Sequence, residues 1–154
     1  MGQAVHWFSA VKWHVLNSDT IEFHQVKMKL PLRWWVYMKS EREMGVAVVP
    51  FTPGNEVGMV FLSKELITEE VLQKKFENST KAIQGSILAF DGFKTGAIGG
   101  VRAFGVRHIS RTKNIIYECW TIPSQGIVIT IPKLPMNWYS SVWDFISNIE
   151  FAPK

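Results

Sequence analysis

A single cysteine, Cys119, in a chain of 154 residues excludes an internal disulfide. It also excludes the CxxC redox and zinc-ribbon chemistries, which need several thiols. Charge is sparse: 19% of the residues are Asp, Glu, Lys or Arg, and 17 basic against 13 acidic residues leave a net charge of only +4. That balance is too weak by itself to imply a nucleic-acid partner. No long apolar run is present. The longest stretch without a charge, 119–132, contains two prolines and falls short of the roughly 20 apolar residues a spanning helix needs. The N-terminus has neither a basic start nor an apolar block before a small-residue cleavage site, so it does not read as a signal peptide. The chain is therefore expected to be cytosolic, or to be the mature form of an exported protein.

What the chain does have is apolar and aromatic mass. Hydrophobic residues make up 47%, with seven Trp and ten Phe. A chain of this length reads as one domain that buries a core without a metal or disulfide staple. There is no internal repeat and no linker. Residues 1–20 are ambiguous: Ala4, Trp7, Phe8, Val11 and Val15 share one helical face, yet the same run also reads as a ragged strand. Residues 21–154 form the expected domain.

From Ile21 the apolar residues alternate. Ile21 and Phe23 oppose Glu22 and His24, and Val26, Met28 and Leu30 oppose Lys27 and Lys29. Period two predicts strands, and the change of phase at His24-Gln25 predicts a bulge or a break. Further strands are predicted over 34–38, 45–51 and 57–62. A helix is predicted over 68–84, with Thr68 as N-cap, Glu69 and Glu70 in the first turn, and Gly85 as the stop. Residues 86–90 read as a strand ending in an Asp91-Gly92 turn. Strands over 96–110, 115–122 and 127–131 follow, the last with Ile127, Ile129 and Ile131 on one face, after a Pro123-Ser124-Gln125-Gly126 turn. A final helix is expected behind Pro135 with Asn137 as N-cap. Its apolar face is Val142, Phe145, Ile146 and Ile149. Strands interrupted by two helices predict an α+β domain with a largely antiparallel sheet.

Three local patterns occur in a recognisable order: Leu30-Pro31-Leu32-Arg33-Trp34, then the 68–84 helix followed by Asp91-Gly92, then Phe145-Ile146-Ser147-Asn148-Ile149-Glu150-Phe151. This order resembles the PsbP / DcrB / Mog-type superfamily. The resemblance implies an α/β/α sandwich, a central antiparallel sheet flanked by helices. It also implies a role in binding or assembly, in an envelope or membrane-associated complex, rather than catalysis. It assigns no site residues.

Local signals for chemistry are few. His6, His14, His24 and His108 have no HxH, HxxxH or HExxH spacing, so no metal motif is read and no cofactor is expected. Cys119 lies in an apolar strand and reads as a small buried hydrophobe, not a nucleophile. The glycines at 92, 96, 99, 100 and 105 fit no phosphate loop and read as turns, bulges or points of close approach. Residues 94–113 carry Lys94, Arg102, Arg107, Arg111 and Lys113 with no acid. They form either a polyanion footprint or a set of charges guarding strand edges. Trp34 and Trp35 are adjacent, so in a strand they face opposite sides. Tyr139 and Trp143 lie off the main apolar face of the last helix. Trp34, Trp35, Arg102, Arg107, Arg111, Tyr139 and Trp143 are thus the candidate partner-binding residues. The function expected is a non-enzymatic protein-binding or assembly module with an unidentified protein partner. A carrier of a small apolar ligand or lipid is the alternative.

Overall fold

The computed structural model describes residues 19–31, 33–48, 58–77, 89–110 and 114–152. Among these residues are ten strands: β1 (Asp19–Phe23), β2 (Val26–Leu30), β3 (Trp35–Lys39), β4 (Glu43–Val48), β5 (Gly58–Lys64), β6 (Ala89–Ile98), β7 (Val101–Ser110), β8 (Ile115–Ile122), β9 (Ile127–Pro135) and β10 (Glu150–Phe151). The described residues also hold two helices, α1 (Glu69–Glu77) and α2 (Tyr139–Ser147). Seven strands form one antiparallel sheet in the order β3-β4-β5-β9-β8-β7-β6, and a small sheet has the order β1-β2-β10.

The expected α/β/α sandwich is not the architecture of this chain. Antiparallel sheet is right, but strands dominate and the helices are short. The nine residues of α2 span about 14 Å, whereas seven strands about 4.8 Å apart span roughly 29 Å. A helix of that size cannot roof the sheet. The first face is covered instead by α2 together with the three-stranded sheet. Phe23, Val26, Met28 and Leu30 of β1 and β2 join Val46, Leu62, Ile129 and Ile131 of the large sheet in one core. Val142, Phe145 and Ile146 of α2 dock into that core, as their spacing predicts, and Ile149 joins it from beyond the end of the helix. On the second face Ile67 and Leu72 pack on Val106, Cys119 and Val128 in a smaller cluster.

Local chemistry accounts for the elements. In β2 Val26, Met28 and Leu30 are buried while Lys27 and Lys29 are exposed. The phase change at His24-Gln25 is a two-residue hairpin turn, with Phe23 paired to Val26 and His24 at φ +54°. Thr68 caps α1, its hydroxyl oxygen accepting the Val71 N–H at 3.2 Å. The end predicted for that helix, including Gly85, lies outside the described residues. Asn137 is not the cap of α2: Met136–Trp138 form a 3-10 turn, and the helix begins at Tyr139.

Asp91-Gly92 is not a turn either. β6 runs through it, and the ladder to β7 shifts register between Phe90 and Gly92. Gly92, at φ +137°, absorbs the bulge. The chain reverses later, at Gly99-Gly100. Both have φ > 0 (+60° and +76°), the requirement of a two-residue turn that follows the strand twist. Gly105 serves packing. A Cβ there would lie 2.6 Å from the Trp120 ring, which lies across β7. At Gly96 on β6 the same ring is 3.8 Å away, an ordinary contact.

These two glycines give a paired test. Gly105→Ala is expected to destabilise the protein by about 1–3 kcal/mol, the usual cost of overpacking. Gly96→Ala is expected to change stability little. Urea unfolding of both variants beside the parent measures the difference, and equal midpoints for the two would contradict this packing.

Candidate functional site

Two parts of the structure concentrate chemistry. The first is a buried polar network on the first face of the large sheet. β7 and β8 pair so that Arg107 is opposite Glu118 and Gly105 is opposite Trp120. Glu118 is 0% exposed. Its Oε2 accepts the Arg107 Nε–H at 3.0 Å. Its Oε1 accepts the Tyr139 hydroxyl at 2.9 Å and also the Trp120 indole N–H. Arg107 donates a further bond to the Tyr139 hydroxyl oxygen at 2.8 Å, with its guanidinium carbon 5.0 Å from the centre of that ring. Trp143 stacks on Tyr139 at 6.2 Å and lies 5.3 Å from Trp120. One carboxylate thus joins two strands and α2, and its lone pairs are engaged by three donors. A buried charge persists only when it is compensated in this way.

The second part is the outer edge of β6. It terminates the sheet, and no described strand pairs with that side. The register shows which peptide groups face outward. The Gly99-Gly100 turn makes Ile98 and Val101 the hydrogen-bonded closing pair, and the pairs then alternate along the ladder. Phe93, Thr95 and Ala97 therefore fall in pairs that exchange no hydrogen bonds, and their N–H and C=O groups point away from β7. Their side chains share the second face, where Phe93 is 41% exposed and Thr95 and Ala97 are also exposed. Phe93 packs edge-on against Phe90 at 5.1 Å.

The predicted site residues scatter between these regions and beyond them. Arg107, Tyr139 and Trp143 come together in the polar network. Trp34 is buried against Phe145, their ring centres 5.1 Å apart. Trp35 is half-buried on β3 and paired with Ala47. Arg102 is exposed on the second face, its guanidinium 4.9 Å from the centre of the Phe104 ring. Arg111 lies outside the described residues. The basic run 94–113 is not one stripe: Arg102 and Arg107 stand on opposite faces of β7, and Glu118 neutralises Arg107. Sequence reasoning missed Glu118 and Trp120. The available signal was a lone acid inside the apolar run 115–122, a position where a charge needs a partner.

The remaining titratable groups are placed by burial. His108 is fully buried between Phe90 and Tyr117, each ring 5.7 Å from its own, and burial lowers its pKa. Burial pushes the Cys119 thiol up. His24 is exposed in the β1–β2 turn, while His6 and His14 lie outside the described residues. Among the described residues no three His, Cys, Asp or Glu side chains are grouped to hold a metal. No helix among them is long and apolar enough to cross a membrane.

Two outcomes follow from the network. Arg107→Met leaves a buried carboxylate without its counter-charge and is expected to cost about 3–5 kcal/mol. Arg107→Met with Glu118→Gln is expected to be more stable than Arg107→Met alone, because Gln still accepts from Tyr139 and Trp120 without a charge. A double-mutant cycle by denaturant unfolding measures this coupling. The second outcome concerns pH. Burial and the adjacent Glu118 push the Tyr139 hydroxyl up to about 12. The unfolded tyrosine releases its proton near 10. Its contribution to stability is therefore complete below pH 10 and is lost as pH rises from 10 through 12. Absorbance titration near 295 nm should show a late tyrosine step that disappears in Tyr139→Phe.

No family model matches the chain, and neither a curated protein nor a solved structure does.

Proposed function

We propose that this chain is a non-enzymatic protein-binding module that receives an extended segment of its partner as an added strand on β6. One observation supports this reading above the others. Over Phe93–Ala97 the edge offers outward peptide groups with exposed, mostly small side chains beside them. An added strand gains main-chain hydrogen bonds from such an edge and selectivity from alternate side chains. Natural proteins commonly guard edges of this length with charge, proline or a bulge. Here the bulge stands at one end, at Asp91-Gly92, and the glycine turn closes the other. The run between them carries one charge, Lys94.

The Arg107–Glu118–Tyr139 network supports the edge from behind. It holds β7 to β8 and to α2, so β6 rests on a rigid neighbour. We read Tyr139 and Trp143 as part of that support rather than as partner anchors. Arg102 and Phe104, on the strand beside β6, belong to the binding surface. No observation among the described residues favours the alternative of an apolar-ligand carrier.

Thr95→Pro tests the reading. The Thr95 N–H points outward and takes no part in the β6–β7 ladder, so proline there removes a donor to an added strand without breaking the sheet. The variant is expected to keep its unfolding midpoint and to lose a stoichiometric partner that the parent captures from native extract. Amide exchange at Phe93, Thr95 and Ala97 should be fast in the free chain and slowed in the complex. A partner that Thr95→Pro still captures, or edge amides that stay fast in the complex, would refute strand addition. Protection that grows with protein concentration alone would assign the edge to a second copy of this chain.

A further inference from the structure

The side chains beside the β6 edge carry information about the segment it takes. On the first face Lys94 stands on β6 between Gly92 and Gly96, which have no side chains to compete for its reach. A residue directly across from Lys94 on an added strand would lie about 5 Å away. On the second face Arg102 is paired with Ala97, and its guanidinium leans over Phe104, the partner of Thr95. Thr95 and Ala97 are short, so the exposed Arg102 side chain can pass over them to the adjoining strand. Phe93 stands next along the same face. The acid nearest this run in the sequence, Asp91, is in the bulge, where the register shifts. The edge is therefore basic on both of its faces, and Phe93 gives it one apolar position.

We infer that the β6 edge selects an acidic extended segment, with one carboxylate opposite Lys94, a second on the other face within reach of Arg102, and an apolar side chain against Phe93. The inference rests on the strand-addition reading. Charge complementarity identifies the occupant as a polypeptide strand whose acids fall on both faces. A segment with alternating acids would place them all on one face.

The test uses the full chain and a labelled peptide, Thr-Val-Glu-Glu-Thr-Glu-Glu-Val-Thr, read by fluorescence anisotropy. The sequence is a palindrome, so it presents the same side chains in parallel or antiparallel addition. A matched peptide has Gln at every Glu. The acidic peptide is expected to bind more tightly than the Gln peptide and to weaken as salt rises. Lys94→Glu and Arg102→Glu are each expected to weaken it by about five- to tenfold, the scale of reversing a rim charge pair. Thr95→Pro is expected to abolish binding of both peptides. Equal binding of the acidic and Gln peptides, both lost in Thr95→Pro, would overturn the acidic preference and leave strand addition standing. Binding of the acidic peptide that survives Thr95→Pro would mean charge attraction without strand addition, and both readings would fall. Both would also fall if neither peptide bound.

Discussion

A carboxylate placed where water cannot reach it is the constraint around which the centre of this protein is organised. Glu118 is charged and fully buried, so its neighbours must supply what water would. Arg107 supplies the counter-charge, and Tyr139 and Trp120 supply the other hydrogen bonds. Each donor comes from a different place: β7, the start of α2, and two residues along β8 itself. Satisfying one side chain therefore sets the β7–β8 register, the seat of α2 and the orientation of Trp120. The glycines follow. Trp120 reaches its acceptor with its ring across β7, and Gly105 beneath it must have no side chain.

The same arrangement explains why β6 is an edge carried on a stiff region. Behind β7 the sheet is tied by the ion pair, the stacked Tyr139 and Trp143, and the core around Ile129 and Ile131. Beyond β7, among the described residues, lies β6, held by its hairpin ladder and by the fit of the Gly99 turn against Ile149 and Phe151. An edge carried on a rigid backing can accept a strand without the sheet deforming. That is the physical link between the buried network, on the first face of β7, and the proposed binding surface along β6.

Much of the local structure was legible in the residues. Alternation at Val26, Met28 and Leu30, the Thr68 cap, the turn at Pro123–Gln125 with Gly126 at φ +62°, and the apolar stripe of α2 are short-range effects. One local error came from assigning a glycine to the wrong task. Asp91-Gly92 has the composition of a turn, but a bulge makes the same demand for positive φ. Which of the two forms depends on whether the partner strand continues. The α/β/α layering failed for a different reason. Periodicity identifies an apolar face without saying whether a helix or a second sheet covers it, and here β1, β2 and β10 share that task with α2.

The candidate site divides in the same way. Sequence alone determined that the chain carries a single thiol, a low charge density and aromatic mass enough for a core. These properties depend on composition alone, whereas the strand expected to carry both Trp34 and Trp35 begins only at Trp35. Only the tertiary structure decided that Arg107 belongs to Glu118, that Arg102 stands apart from it on the other face, and that β6 rather than β7 forms the edge. Those facts depend on which strands pair and in what register. Contacts between residues far apart in the chain set the register, and burying a carboxylate beside the one arginine opposite it permits no other pairing at that point.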